Sequence, residues 1–262
     1  MSAKKILLIT AVALLGLVGV FMIYAIMVAP ARQPYRSALT QFNRVNDGNA
    51  DLTTAGSLLG SSKATGEQFE KNIKMAQTVL NNLRIEQTAL AKESVLQNGE
   101  GKALFVAFDD KMQAYMTYTE NVLTSMQKVR PAIFDCTTAM SNTSADAAGV
   151  AAVRKCSTDL SNLKDVPDAD YQQLVATFSE KYAELATVLE KQATLQSPKG
   201  ADAAQNTALE SERDQILKDI STAGTTFSAD SKRHHAAIVS SDTAQNLKDY
   251  LEAKSRVIQF NS

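Results

Sequence analysis

The first feature of the chain is an unbroken apolar segment that runs from Ile6 to Val28. It contains no charged residue, and as an α-helix it would span about 35 Å, more than a hydrocarbon core of ~30 Å. An α-helix satisfies its backbone hydrogen bonds internally, so a segment of this kind is stable in lipid. The sequence therefore predicts a transmembrane anchor at residues 6–28 that contacts membrane lipid.

A cleaved signal peptide is the alternative interpretation of this segment. Lys4 and Lys5 would form its basic region, and Ala29, Pro30 and Ala31 resemble a small-x-small cleavage site. The apolar run is longer than the roughly 7–15 apolar residues of a signal peptide. We therefore favour an uncleaved signal anchor.

The residues around the anchor predict its orientation. The tail of residues 1–5 is basic and has no acid, which is typical of a signal anchor with a cytoplasmic N-terminus, although Arg32 and Arg36 lie close to the other end. We expect a single-pass protein of a bacterial cytoplasmic (inner) membrane. In this prediction residues 1–5 are cytoplasmic, residues 29–34 form a connector, and residues 35–262 form an extracytoplasmic domain in the cell envelope.

Beyond the anchor, apolar residues recur at steps of three and four, the spacing of one face of an α-helix. Long helices that are joined by short turns must pair antiparallel. The predicted fold is all-α: an elongated antiparallel helical bundle with coiled-coil-like packing. Helices are predicted over Tyr35–Leu59, Thr65–Gln97, Leu104–Ile133, a shorter stretch up to Leu163, Tyr171–Leu189 and Ala203–Val257.

Local signals predict where these helices begin and end. Pro131 should kink or end the third helix, and Thr143 should cap the fourth, with Asp146 in its first turn. Turns are expected at Gly60–Ser62, Asn98–Gly101, Val166–Asp168 and Ser197–Gly200, with a further break near Gly224.

Cys136 and Cys156 are the two cysteines of the chain. In an oxidising compartment we expect a disulfide between them. The bridge would close a loop of about 21 residues and contribute roughly 3 kcal/mol to stability in the chain-entropy model. Two buried free thiols are the alternative, whereas the spacing is not that of a C-x-x-C redox pair. A disulfide also favours placement outside the cytoplasm.

Known catalytic and ligand-binding motifs are missing from the sequence. His234 and His235 are adjacent, so on a helix they point about 100° apart and cannot bind one metal ion from one face. His234 falls on a seam and is expected to be a packed or interfacial histidine. Asp109 and Asp110, like the acids of segment 210–214, are expected on solvated helix faces. The polar seam residues Gln87, Thr119 and His234 either fix the packing or mark a cleft. We predict a non-enzymatic protein with no catalytic, cofactor or metal site.

Charge limits the class of partner. Without Lys4 and Lys5, the chain has 25 basic and 28 acidic residues, a net charge of −3. Nucleic acid is therefore not expected as a partner, because phosphate binding requires a basic surface. We expect a structural or protein-interaction role, as a subunit of a membrane or envelope assembly that binds a protein partner or a second copy through helix faces.

An N-terminal apolar helix followed by long helices resembles the layout of the extracytoplasmic four-helix domains of bacterial chemoreceptors. This resemblance of layout implies a ligand-binding or sensory module as the alternative function. Chemoreceptors also have a second span and a cytoplasmic signalling region, whereas nothing after Val28 is apolar enough to span a membrane. A sensory module of this form would need a membrane partner for its output, so the structural role is preferred.

Overall fold

The structure is a computed structural model that describes residues 32–56, 59, 66–140, 145–195, 199–239 and 241–256. All regular secondary structure in these ranges is helical, which confirms the predicted all-α class. The first helix, α1, covers residues 32–56. The following helices are α2 (Gly66–Leu90), α3 (Gly99–Met140), α4 (Ala147–Ser161), α5 (Ala169–Ala193), α6 (Ala203–Val239) and α7 (Thr243–Ser255), with a 3-10 turn at Ser94–Leu96.

The described chain forms two compact units, each with its own buried residues. The terminal unit contains residues 32–53, 81–112 and 241–256. The central unit contains the described residues of 54–80 and 113–240. Each unit is therefore assembled from segments that are distant in sequence.

The terminal unit packs α1, the end of α2, the start of α3 and α7 around an apolar centre. Phe42 and Phe108 lie 5.5 Å apart between ring centroids, and Tyr35 meets Tyr250 of α7 edge to face at 6.0 Å. Phe42 and Phe108 are buried, which removes apolar surface from water and contributes roughly 1.5–3 kcal/mol for each ring. Other buried residues of this unit are Ala38, Val45, Leu52, Leu83, Leu90, Leu96, Phe105, Leu247 and Leu251.

The central unit is built around α5. Ten residues of this helix are buried, among them the predicted seam of Tyr171, Leu174, Phe178, Tyr182, Leu185 and Leu189. Helix α4 packs antiparallel against it, and two reciprocal hydrogen bonds join the pair. The Ser157 hydroxyl donates to the Ser179 carbonyl at 2.8 Å, and the Ser179 hydroxyl donates to the Ser157 carbonyl at 2.9 Å. Helix α6 lies antiparallel on another side of α5.

The end of α3 differs from the prediction, because the helix continues through Pro131 to Met140. Proline removes one helical hydrogen bond and usually costs about 3 kcal/mol. Here Val129 and Cys136 are buried on either side of it, so tertiary packing maintains the helix. The Cys136–Cys156 disulfide, with Cα atoms 5.3 Å apart, links this end of α3 to α4.

Several other helix ends also differ from the prediction. Helix α2 ends at Leu90, since the turn that follows buries Leu96. Helix α3 begins at Gly99, inside the predicted turn. Asp146 caps α4, accepting a hydrogen bond from the Gly149 N–H at 2.8 Å; Thr143 lies outside the described residues. Helix α6 passes through Gly224, because one helical glycine costs only about 1 kcal/mol. It ends at Val239.

The predicted anchor, Ile6 to Val28, lies outside the described residues, as do the tail of residues 1–5 and residues 29–31 of the connector. Residues 32–34, predicted as connector, already belong to α1. Within the described ranges, no helix combines the length and the apolar character needed to cross a membrane.

The predicted interruption at Val166–Asp168 is confirmed, since these residues are non-helical.

Candidate functional site

A cleft with a volume of about 310 Å³ lies between α5 and α6 of the central unit. Its volume is at the lower end of the range of small-molecule sites, roughly 300–1,000 Å³. The antiparallel pairing of the two helices brings the start of α5 beside the second half of α6. We call this feature the α5–α6 cleft, and both charged and apolar side chains line it.

One end of the α5–α6 cleft is acidic. Asp170 in the first turn of α5 and Asp230 of α6 both line it. Asp170 Oδ2 lies 2.9 Å from His234 Nδ1, and the Asp170 side chain is only 10% exposed. Asp230 pairs with Arg233 of its own helix, whose side chain is 71% exposed. An ion pair so open to solvent is weak, so Asp230 remains accessible to another cation.

Asp168 places a third carboxyl group near this end. Its side chain caps α5, accepting a hydrogen bond from the Tyr171 N–H at 3.1 Å, and its own N–H donates to the buried Ser125 hydroxyl at 2.9 Å. Burial raises the pKa of the Asp168 carboxyl, and the negative charge of Asp170 adds to the increase. A second negative charge nearby disfavours the ionised form of a carboxyl group that is already partly buried.

The other end of the cleft carries a lysine that is already paired. Lys181 Nζ lies 2.8 Å from Glu184 and 3.6 Å from Asp219. This ammonium group is therefore compensated by its own surroundings. Three aspartates, Asp170, Asp219 and Asp230, and one lysine line the α5–α6 cleft, so the net charge of its lining is negative.

The wall between these ends is mixed, with apolar side chains beside Gln173, Thr177, Thr222 and Thr226. Leu174, Ala223 and Phe227 line it. The Phe227 ring packs edge to face against Tyr171, with centroids 4.7 Å apart, which holds the ring in one position. Burial raises the pKa of the Tyr171 phenol, and the nearby Asp168 raises it further. The apolar side chains of this wall, which we call the floor of the cleft, thus lie next to a carboxylate end.

The second half of α6 is held by polar and aromatic contacts. The Tyr118 hydroxyl donates to the Ser231 carbonyl at 3.3 Å, and the His235 ring lies 5.8 Å from Tyr115 and 6.3 Å from Tyr118. The two histidines point to different helices, as their adjacency predicted. His234 is interfacial and is not packed in the core, since its side chain is 54% exposed and pairs with Asp170 of α5.

Among the residues singled out from sequence, Gln87 is buried in the terminal unit. Its amide donates to Asp109 Oδ1 at 2.6 Å. Asp109 therefore takes part in helix packing, whereas the sequence predicted it on a solvated helix face. The Thr119 hydroxyl donates to the Tyr115 carbonyl of its own helix at 2.9 Å. Of the three polar seam residues, His234 alone lies beside the α5–α6 cleft, where it pairs with Asp170.

Sequence reasoning did not find Ser125, Asp168, Asp170 or Asp230 as site residues. A signal existed for Asp168, because an Asp before an apolar helical pattern is a typical N-cap. Asp230 carried none, since its distance from Asp170 depends on how α5 and α6 pair. No three metal-ligating side chains come together within the described residues.

Comparison with protein-family models, with curated proteins and with solved structures finds no match for this chain. Its function must therefore be inferred from its own residues.

Proposed function

We propose that this chain is a membrane-anchored, extracytoplasmic interaction protein without enzymatic activity, a subunit of a membrane or envelope assembly. Residues 6–28 tether it to the lipid, and the helices that follow offer long faces to a protein partner or to a second copy. Packing of the coiled-coil type along these helices is part of the proposal.

The sparse burial of α6 is the observation that carries this proposal. In its 37 residues α6 buries Leu209, Ile216 and Ile220, whereas α5 buries ten residues in 25. A helix that is polar on most of its surface gains little from its own unit. The second half of α6 contacts its own unit on one side, and the exposed surface that remains is open to a partner.

Site-specific crosslinking tests the interaction role. A photo-reactive amino acid at the exposed Lys232 of α6 should give one stoichiometric adduct in native membranes. The same amino acid at Lys191, exposed on α5, is the matched control and should give little. An adduct of twice the mass of the chain would identify a second copy. Recovery of the monomer alone from Lys232, or equal yields from both positions, would contradict the proposal.

The α5–α6 cleft favours a second candidate function, a ligand-binding or sensory module that signals through a membrane partner. A concave site with an apolar floor and a few convergent polar groups is the usual form of a small-molecule site. The two candidate functions are compatible, because Lys232 and the cleft residues occupy different positions on α6.

A further inference from the structure

We propose that the α5–α6 cleft binds a small organic cation, with its ammonium group between Asp170 and Asp230 and its apolar body against Phe227. This proposal rests on the second candidate function, and it adds the chemical class of the ligand and the residues that recognise it.

The positions of the carboxylates determine the charge of the ligand. Asp168 and Asp170 have structural roles at the start of α5, where a cap and an acid in the first turn stabilise a helix. Asp230 has no capping role, since it lies well inside α6, and among the described residues its carboxylate pairs with the exposed Arg233. Its presence beside Asp170 therefore concentrates negative charge at one end of a concave site, and this favours a cationic group.

The hydrogen-bonding capacity of the two carboxylates supports the same assignment. Asp170 uses Oδ2 for His234, and Asp230 uses Oδ1 for Arg233. From the described residues, the other oxygen of each carboxylate accepts no hydrogen bond. An ammonium group has three donors and matches two such acceptors, and its hydrogen bonds to carboxylates are charge-assisted.

The floor of the cleft indicates that the cation is organic. Leu174 is buried, and Ala223 and Phe227 extend the apolar surface towards Lys181. A hydrated inorganic ion gains nothing from such a surface, whereas a hydrocarbon or aromatic body is removed from water there. A metal ion would also need further ligands, and the described residues bring no group of three together.

A charge series with one shared body tests the proposal. The full chain in lipid nanodiscs is dialysed to equilibrium against 2-phenylethylamine, 2-phenylethanol or phenylacetate, with empty nanodiscs as the background. We expect saturable binding of the amine, and at least tenfold weaker binding of the alcohol and of the carboxylate, because only the amine forms charge-assisted hydrogen bonds.

Two variants locate the site. Asp230→Asn should weaken amine binding about tenfold. Asp214→Asn is the matched control, since Asp214 lies on the same helix with its side chain 68% exposed, and the net charge changes equally. Ala223→Leu should abolish binding by filling the floor. Circular dichroism melts confirm that each variant remains folded.

The possible outcomes separate the two levels of the proposal. Preferred binding of the alcohol or of the carboxylate would keep the cleft as a ligand site and overturn the cationic assignment. Equal weakening by Asp230→Asn and Asp214→Asn would show diffuse charge attraction, and this site assignment would fail. If none of the three probes binds saturably, both the cation proposal and the ligand-binding function of the cleft are overturned.

Discussion

Asp168 has two effects on stability that oppose each other. As the N-cap of α5 it satisfies a backbone N–H that the helix cannot. As a buried carboxylate near Asp170 it is costly to ionise, and its pKa is raised. A raised carboxyl pKa contributes stability at acidic pH, which is lost as the pH rises through the folded-state value.

This conflict predicts different results for two substitutions. Asp168→Asn keeps the capping oxygen and removes the buried charge, so it should equal or exceed the wild-type stability at pH 7. The difference should shrink towards pH 3, where Asp168 is protonated. Asp168→Ala removes both the cap and the charge, so it should cost about 1 kcal/mol at pH 3 and less at pH 7. Urea unfolding followed by circular dichroism measures both, with the exposed Asp214→Asn as control. An Asn variant that is clearly less stable than the wild type at pH 7 would contradict this account.

At the scale of the element, two glycines inside helices have opposite roles. A Cβ atom at Gly101 of α3 would overlap the Val95 carbonyl oxygen and lie 3.2 Å from Tyr250, whereas one at Gly224 of α6 would meet no atom within 4 Å. Gly101 therefore allows the turn at Val95 to approach α3 closely. At Gly224 the cost to stability is only the conformational entropy that a glycine loses when it folds into a helix.

Alanine at these positions should change stability in opposite directions. Gly101→Ala should cost roughly 2 kcal/mol or more, because a backbone carbonyl group has to move. Gly224→Ala should add about 0.5–1 kcal/mol through helix propensity. Thermal unfolding of the two variants under identical conditions checks both signs. A stabilised Gly101 variant would mean that the turn at Val95 does not pack against α3 as described.

At the scale of the whole molecule, the Cys136–Cys156 disulfide reports on the compartment of the central unit. The predicted orientation places it outside the cytoplasm, where the bridge is stable. In bacterial cells that express the chain, a maleimide reagent added under denaturing conditions should label the protein only after reduction. Labelling of both thiols without reduction would overturn the predicted orientation and leave the helical fold unaffected.

The same bridge should contribute to the stability of the central unit. Replacing both cysteines by serine should lower the free energy of unfolding by about 3 kcal/mol, the value for a loop of this length. The melting temperature of the oxidised wild type, compared with that of the double variant, measures this contribution. Wild type treated with reductant is the control, and its melting temperature should fall to nearly that of the variant.

The sequence alone determined the features of this protein that depend on near neighbours. Periodic apolar residues gave the helical class and the buried seam of α5, since one face of a helix is defined by residues three and four apart. Two cysteines in one chain indicated the Cys136–Cys156 pair. The break before α5 was also predictable, because Pro167 and Asp168 act locally.

Only the tertiary structure decided the features that depend on contacts between distant residues. Helix α3 continues through Pro131 because Val129 and Cys136 are buried around it. The division into two units had no local signal. Asp170 and Asp230 line one cleft because α5 and α6 pair antiparallel in one register, and that register is set by the summed packing of both helices.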